Sequence, residues 1–310
     1  MAPTTKQGRK ITVVGGSGNV GSRIVTALVE AGIHEVSVIS RPESQATFLA
    51  SVQVRRGAYD DEAFLASALA GQDVLIMTLS FQASDAQKPL IRAAAAAGVP
   101  YVVPCEFGSD TTNEPLCREI FFLEAKKQYR NLIEELGVSS WIGVVNNPWF
   151  DYCLPLGFFE IDVKNRTATY FNDGSYKANF TTMGRVGTSL AALLSQPDAK
   201  LAEHKNRWVY FSSLVASQRD MVASAQRATK TTDADWTITS KPTQQVLDWS
   251  RAETAKGNFM AAGKALFALT VTEGYGGNYQ DNVVDYAALG LEPGEDLDEI
   301  VRNLVGEMGA

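Results

Sequence analysis

Three groups of residues in this 310-residue chain have types and spacings that could do chemistry. The first is the run Gly15-Gly16-Ser17-Gly18-Asn19-Val20-Gly21, which fits G-x-G-x-x-G from Gly16 and G-x-x-G-x-x-G from Gly15. Glycines so spaced allow a tight turn, a close approach of backbone to a pyrophosphate, and close helix–strand packing. A helix opening there turns free N–H groups and the positive end of its dipole to the anion. No Gly-Lys-Ser/Thr follows, which excludes a nucleoside-triphosphate P-loop. The contact set read from this loop is Gly15, Ser17, Gly18, Asn19, Val20 and Gly21.

The second group is Ser40-Arg41-Pro42, at the end of the next strand-like run. An acid at that place would bind the ribose 2′-OH of NAD. Here Arg41 offers a planar fork suited to a 2′-phosphate, so the expected cofactor is NADPH. The other reading makes Arg41 a solvated loop residue and lets Glu43 reach the ribose. The third group surrounds Lys126. At about 100° per residue, Phe122, Ala125, Tyr129, Leu132, Ile133 and Leu136 fall on one apolar arc, with Lys126 at its edge and Lys127 pointing away. A lysine partly inside an apolar face loses solvation and is suited to proton transfer. The plainer reading is a snorkelling lysine whose stem covers the core.

Other chemistries are poorly provided for. None of the ten tyrosines has a lysine four residues later, and the only histidines are His34 and His204. Cys105, Cys117 and Cys153 have no metal-like spacing. A sparse, odd cysteine count reads as a reduced intracellular chain. Cys105 is read as a small buried hydrophobe rather than a redox-sensitive thiol.

These residues need a scaffold. Short apolar runs at Ile11–Val14, Val36–Ile39, Val52–Val54, Asp73–Leu79, Tyr101–Val103 and Trp141–Val145 alternate with helical patterns at 19–31, 46–50, 63–70, 87–97 and 118–136. Such alternation predicts an α/β, doubly wound parallel sheet covered on both faces, a Rossmann arrangement. After about residue 151 the rhythm changes to strand-like pieces at 168–171, 208–211 and 236–238, with helices near 185–194, 219–228 and 296–305. The expected organisation is a cofactor domain over residues 1–152. Residues 153–310 form mainly a smaller substrate lobe, with some segments returning to the core. The stretch Tyr275–Tyr279 reads equally as a lid over an apolar substrate or as a surface loop.

The composition is that of an ordinary globular chain, 45% apolar and 20% charged. A net charge of −7 without a basic stripe argues against nucleic acid and against an anionic membrane surface. No apolar run approaches the ~20 residues of a membrane span, and Met1 to Lys10 lacks the apolar stretch of a secretory signal. The expected location is cytoplasmic and the expected partner a small-molecule substrate; oligomeric state is left open.

The glycine loop, Arg41, Pro104-Cys105-Glu106-Phe107-Gly108-Ser109-Asp110, Lys126 within Phe122–Arg130, and Asn146-Asn147-Pro148-Trp149-Phe150-Asp151-Tyr152 follow one another in that order. The order resembles the NmrA-like, isoflavone-reductase-like branch of atypical short-chain dehydrogenases over roughly residues 10–190. The resemblance implies a Rossmann domain for NADPH, a C-terminal substrate lobe, and Lys126 as the proton-transfer residue. It implies that Asn146 lines the nicotinamide pocket, that Phe107 and Gly108 hold a loop over the same cleft, and that Leu79 and Ser80 pass the cofactor. The implied activity is NADPH-dependent reduction of an apolar, aromatic or conjugated carbonyl or enone. The alternative is a nucleotide-sensing regulator without catalysis. The sequence departs from the family pattern at Cys105, at Gly57-Ala58 and at Met183-Gly184-Arg185.

Overall fold

A computed structural model describes residues 6–309. Of the polar start, residues 1–5 lie outside them. The first half alternates as the patterning predicts: β1 (Lys10–Val14), α1 (Asn19–Glu30), β2 (Glu35–Ser40), β3 (Gln53–Arg56), α2 (Glu62–Leu69), β4 (Val74–Met77), α3 (Gln87–Ala96) and β5 (Tyr101–Val103). There follow α4 (Glu114–Glu119), α5 (Phe121–Glu124), α6 (Lys127–Leu136) and β6 (Ser140–Val145). The second half carries α7 (Phe150–Cys153), β7 (Ile161–Asp162), β8 (Thr167–Phe171), β9 (Ala178–Phe180), α8 (Met183–Leu194), α9 (Asp198–Leu201), β10 (Arg207–Tyr210) and β11 (Leu214–Ala216). It ends with α10 (Gln218–Thr229), β12 (Thr237–Lys241), α11 (Thr243–Ala255), α12 (Met260–Thr270) and α13 (Leu297–Met308).

Seven parallel strands form the main sheet in the order β10-β6-β5-β4-β1-β2-β3. The chain starts in the middle, winds outward through β2 and β3, then crosses to β4 and winds the other way. That reversal leaves a crevice at the carboxyl ends of β1 and β4, where such sheets bind ligands. The central strands β1, β4 and β5 are nearly continuously apolar because helices cover both faces, while the edge strands β3 and β10 carry arginines. One apolar core lies between the sheet and α1 with α8, another between the sheet and α2, α3 and α6. A third fills the C-terminal lobe around Phe150, Phe159 and Phe180.

The details differ from the patterning in three places. Residues 46–50 form no helix. The single helix expected over 118–136 starts earlier, at Asn113, whose side chain accepts the Leu116 N–H with Pro115 in the first turn. It is broken at Ile120, which leaves the helical region at φ −117° and ψ 86°, and again at Lys126. Its apolar arc therefore splits: Tyr129 and Ile133 are buried, while Ala125 and Leu136 are exposed. The strand near 208 is no part of the lobe; β10 pairs with β6 and completes the main sheet. Tyr275–Tyr279 is a loop outside the helices and strands that is pinned at its end. Tyr279 is buried and donates its hydroxyl to the Phe211 carbonyl at 2.9 Å.

Candidate active site

The glycine loop turns where its glycines require it. Gly15 has φ +80°, and a Cβ there would stand 2.5 Å from the Thr78 carbonyl oxygen. A Cβ on Gly21 would stand 2.2 Å from the Gly15 carbonyl oxygen, so this glycine lets the helix close on the loop. Gly18 sits at the start of α1 with no side-chain cap, and its N–H bonds the Gly15 carbonyl at 2.9 Å. No acidic residue lies in the first turn, so its N–H groups are left for a ligand anion. Ser17, Gly18 and Asn19 are exposed, while Val20 and Gly21 are buried. Thr78 bridges this loop to the end of β4, its hydroxyl donating to the carbonyls of Val14 and Gly15 at 3.0 Å. Arg41 stands at the tip of β2 with its side chain 65% exposed, 3.3 Å from Glu43. These features fit a dinucleotide: a cradle too tight for Cβ atoms, an open helix end, and an exposed guanidinium at the tip of the next strand.

Beyond β4 opens a cleft of about 720 Å³. Val20, Leu79, Ser80, Phe107 and Lys126, all singled out in the sequence, line it. Arg41 and the remaining loop residues lie outside this lining. Asn146 is also outside it. Its side chain is fully buried at the end of β6, and neither amide atom has a hydrogen-bond partner. The neighbouring Asn147, with φ +52°, does line the cleft and donates to the carbonyls of Asn179 and Gly277 at 2.9 and 2.8 Å. The backbone N–H groups of Asn146 and Asn147 both bond the Gly108 carbonyl at 3.0 Å. That pairing fixes the loop after β5 against the end of β6.

The far wall is aromatic. Phe81, Phe121 and Phe122 contact one another edge-on, with ring centroids 5.5–6.4 Å apart. Phe259, from the segment before α12, reaches Phe121 at 5.7 Å. Trp149, Tyr152 and Phe267 complete the wall, whereas Phe150 belongs to the lobe core. Sequence reasoning missed Phe259 and Phe267, because α11 and α12 carry no motif and only weak amphipathic patterning.

Lys126 sits between α5 and α6 with its side chain 22% exposed. Its Nζ donates to the Glu106 carbonyl at 2.6 Å. The Glu106 carboxylate is buried and paired with Arg130. Cys105, next in the wall, takes the Leu79 N–H on its sulfur at 2.9 Å and donates to the Met77 carbonyl at 3.0 Å. Burial pushes its thiol up to about 12. Cys105 is half-buried in the cleft wall and tied by these hydrogen bonds, less enclosed than the buried hydrophobe the sequence suggested. Among the described residues no group of His, Cys, Asp and Glu is placed to hold a metal. Among the described residues, no helix is long and apolar enough to cross a membrane.

Comparison with known proteins agrees with this geometry. The profile of the NmrA-like family matches residues 7–147. Oxidoreductase aprR of Aspergillus flavus is 28% identical over 96% of this chain and 98% of its own length. Oxidoreductase poxI of Penicillium oxalicum is 32% identical over 71% of this chain and 70% of its own length. In fold, the solved structure of AtPrR2 with NADP+ and (+)pinoresinol is similar, with a TM-score of 0.79 at 22% identity, covering 96% of this chain and 99% of that one. The chain belongs to the NmrA-like family.

Proposed function

We propose that this protein reduces an uncharged, apolar small molecule bearing an aromatic or conjugated carbonyl or enone, with NADPH as reductant. The coarser statement, an NADP(H)-dependent oxidoreductase, rests on the family and on relatives named oxidoreductases. The observation that carries the substrate reading is the aromatic cleft that ends on Lys126. Its charged lining residues are Asp85, Glu106 and Lys126 alone, and Glu106 is already paired. A substrate with a phosphate or several carboxylates would find no cationic partner there but Lys126. The same built cleft speaks for an enzyme over a nucleotide-sensing regulator.

In this reading the loop from Gly15 to Gly21 and the first turn of α1 hold the pyrophosphate. Arg41 holds the 2′-phosphate, Leu79, Ser80 and Phe107 border the nucleotide, and Asn146 stands behind them. The bound nicotinamide supplies a hydride. Lys126 holds a proton at Nζ and yields it to the developing alkoxide or enolate oxygen, directly or through a water. Hydride and proton together turn a carbonyl into an alcohol, or an enone into an enol that tautomerises to the saturated ketone. The aromatic walls exclude water from the reacting atoms.

The test is a nicotinamide-fluorescence titration with NADPH and NADH, followed by NADPH oxidation over a panel of conjugated aromatic enones. We expect NADPH to bind far more tightly than NADH. Lys126→Met should keep NADPH binding and lose roughly 10²- to 10⁴-fold in turnover. Binding of neither nucleotide would overturn the reading. An unchanged rate in Lys126→Met would remove that residue from the mechanism.

A further inference from the structure

Arg130 lies one helical turn after Lys126, so both side chains reach the same segment after β5. They divide Glu106 between them. Lys126 takes its backbone carbonyl at 2.6 Å, and Arg130 takes carboxylate oxygen Oε1. The second carboxylate oxygen, Oε2, is buried without a hydrogen-bond partner and lies 3.9 Å from the Lys126 Nζ. The Arg130 guanidinium is itself held from outside, 4.6 Å from the ring of Trp208 and 5.8 Å from that of Trp141. Gly143 makes room for this stack, since a Cβ there would stand 2.4 Å from the Trp208 ring.

We infer that Arg130 is a positioning residue for Lys126: by occupying the Glu106 carboxylate, it leaves the lysine on the carbonyl and open to the cleft. A buried carboxylate with no cation draws in the nearest one. Without Arg130 that cation is Lys126, whose Nζ needs to move only about 1 Å to close a charge-assisted bond of ~2.8 Å. A displacement of this size at a reacting group costs on the order of 100-fold in rate. The catalytic meaning rests on Lys126 as proton donor, but the geometry does not.

The experiment therefore reads Lys126 directly. The purified chain is labelled with limiting acetic anhydride, and acetylation of Lys126 is measured by peptide mass spectrometry against that of the exposed neighbour Lys127. We expect Arg130→Met to lower the Lys126:Lys127 ratio at least tenfold, as the carboxylate captures the ammonium. The double variant Arg130→Met/Glu106→Gln, which removes the carboxylate charge, should restore the ratio to within about threefold of the parent. A ratio unchanged in Arg130→Met would overturn the inference. So would a loss that the double variant does not restore, which would make the pair a structural tie only. The double variant also carries the test if Arg130→Met folds poorly, because it leaves no buried charge unpaired; a ratio far below the parent's in that variant alone would overturn the inference. None of these results depends on turnover, so a failed Lys126→Met test and a failed labelling test are told apart.

Discussion

At the scale of single residues, charge and confinement decide what each group can do. Arg41 is exposed and paired only with a neighbouring exposed acid, so it can turn to a 2′-phosphate without leaving a buried partner behind. A charge-assisted contact of this kind is worth ~1.5–3 kcal/mol. Arg41→Ala should weaken NADPH binding roughly 10- to 100-fold and leave NADH binding unchanged, as paired titrations would reveal. Cys105 is the opposite case. The thiolate is the nucleophile, and a thiol raised to about 12 is almost wholly protonated at pH 8. Iodoacetamide at that pH should modify Cys105 far more slowly in the folded chain than in denaturant; rapid native alkylation would contradict the raised thiol pKa. The glycine loop and Arg41 were expected from residue types at a fixed distance from a strand end, and Lys126 from the edge of an apolar arc together with the family resemblance. Arg130 and the pairing of Glu106 were not, since a partner 24 residues away leaves no local pattern.

At the scale of elements, backbone geometry accounts for what patterning captured and what it missed. The alternation of apolar strands and helices predicted the sheet, because strands buried on both faces must be apolar throughout. The break at Ile120 was hidden. Apolar spacing runs on through residues 118–136, but the chain leaves the helical region to place Phe121 and Phe122 on the cleft. Gly21 shows the tolerance of the site. Its missing Cβ would lie 2.2 Å from the Gly15 carbonyl, so Gly21→Ala must push helix and loop apart. We expect a loss of ~1–3 kcal/mol in denaturant unfolding, with NADPH binding weakened beyond that of Arg41→Ala. Ser217 opens α10 with a reciprocal capping box to Asp220. Ser217→Ala should cost about 1 kcal/mol of stability and leave nucleotide binding as it is.

At the scale of the whole molecule, the two halves are threaded through each other. α8 packs against α1, and Gly187 lets the helices close; a Cβ there would meet the Arg23 carbonyl oxygen at 2.5 Å. β10 supplies the outer strand of the sheet beside β6. The lobe also adds Phe259 and Phe267 to the aromatic wall of the cleft. A fragment ending at residue 152 would expose β6 as an apolar edge and uncover one face of α1. It should not unfold cooperatively, and a sharp thermal transition in that fragment would argue for an independent N-terminal unit. The return of β10 was only half legible, since a short strand-like run does not say which sheet receives it.

The position of Trp208 also sets a schedule for making the protein. A ribosome adds about 5–20 residues per second, so roughly 4–16 s separate the synthesis of Arg130 from that of Trp208. For that interval the nascent chain owns a guanidinium and an acid with only the more distant Trp141 indole beside them, and an unfinished sheet edge. Ribosome-stalled chains ending near residue 205 should be cleaved readily by trypsin after Arg130, while chains extended well past residue 240 resist. The corner around Lys126, Glu106 and Arg130 is thus completed late, by a tryptophan that arrives long after the residues it protects.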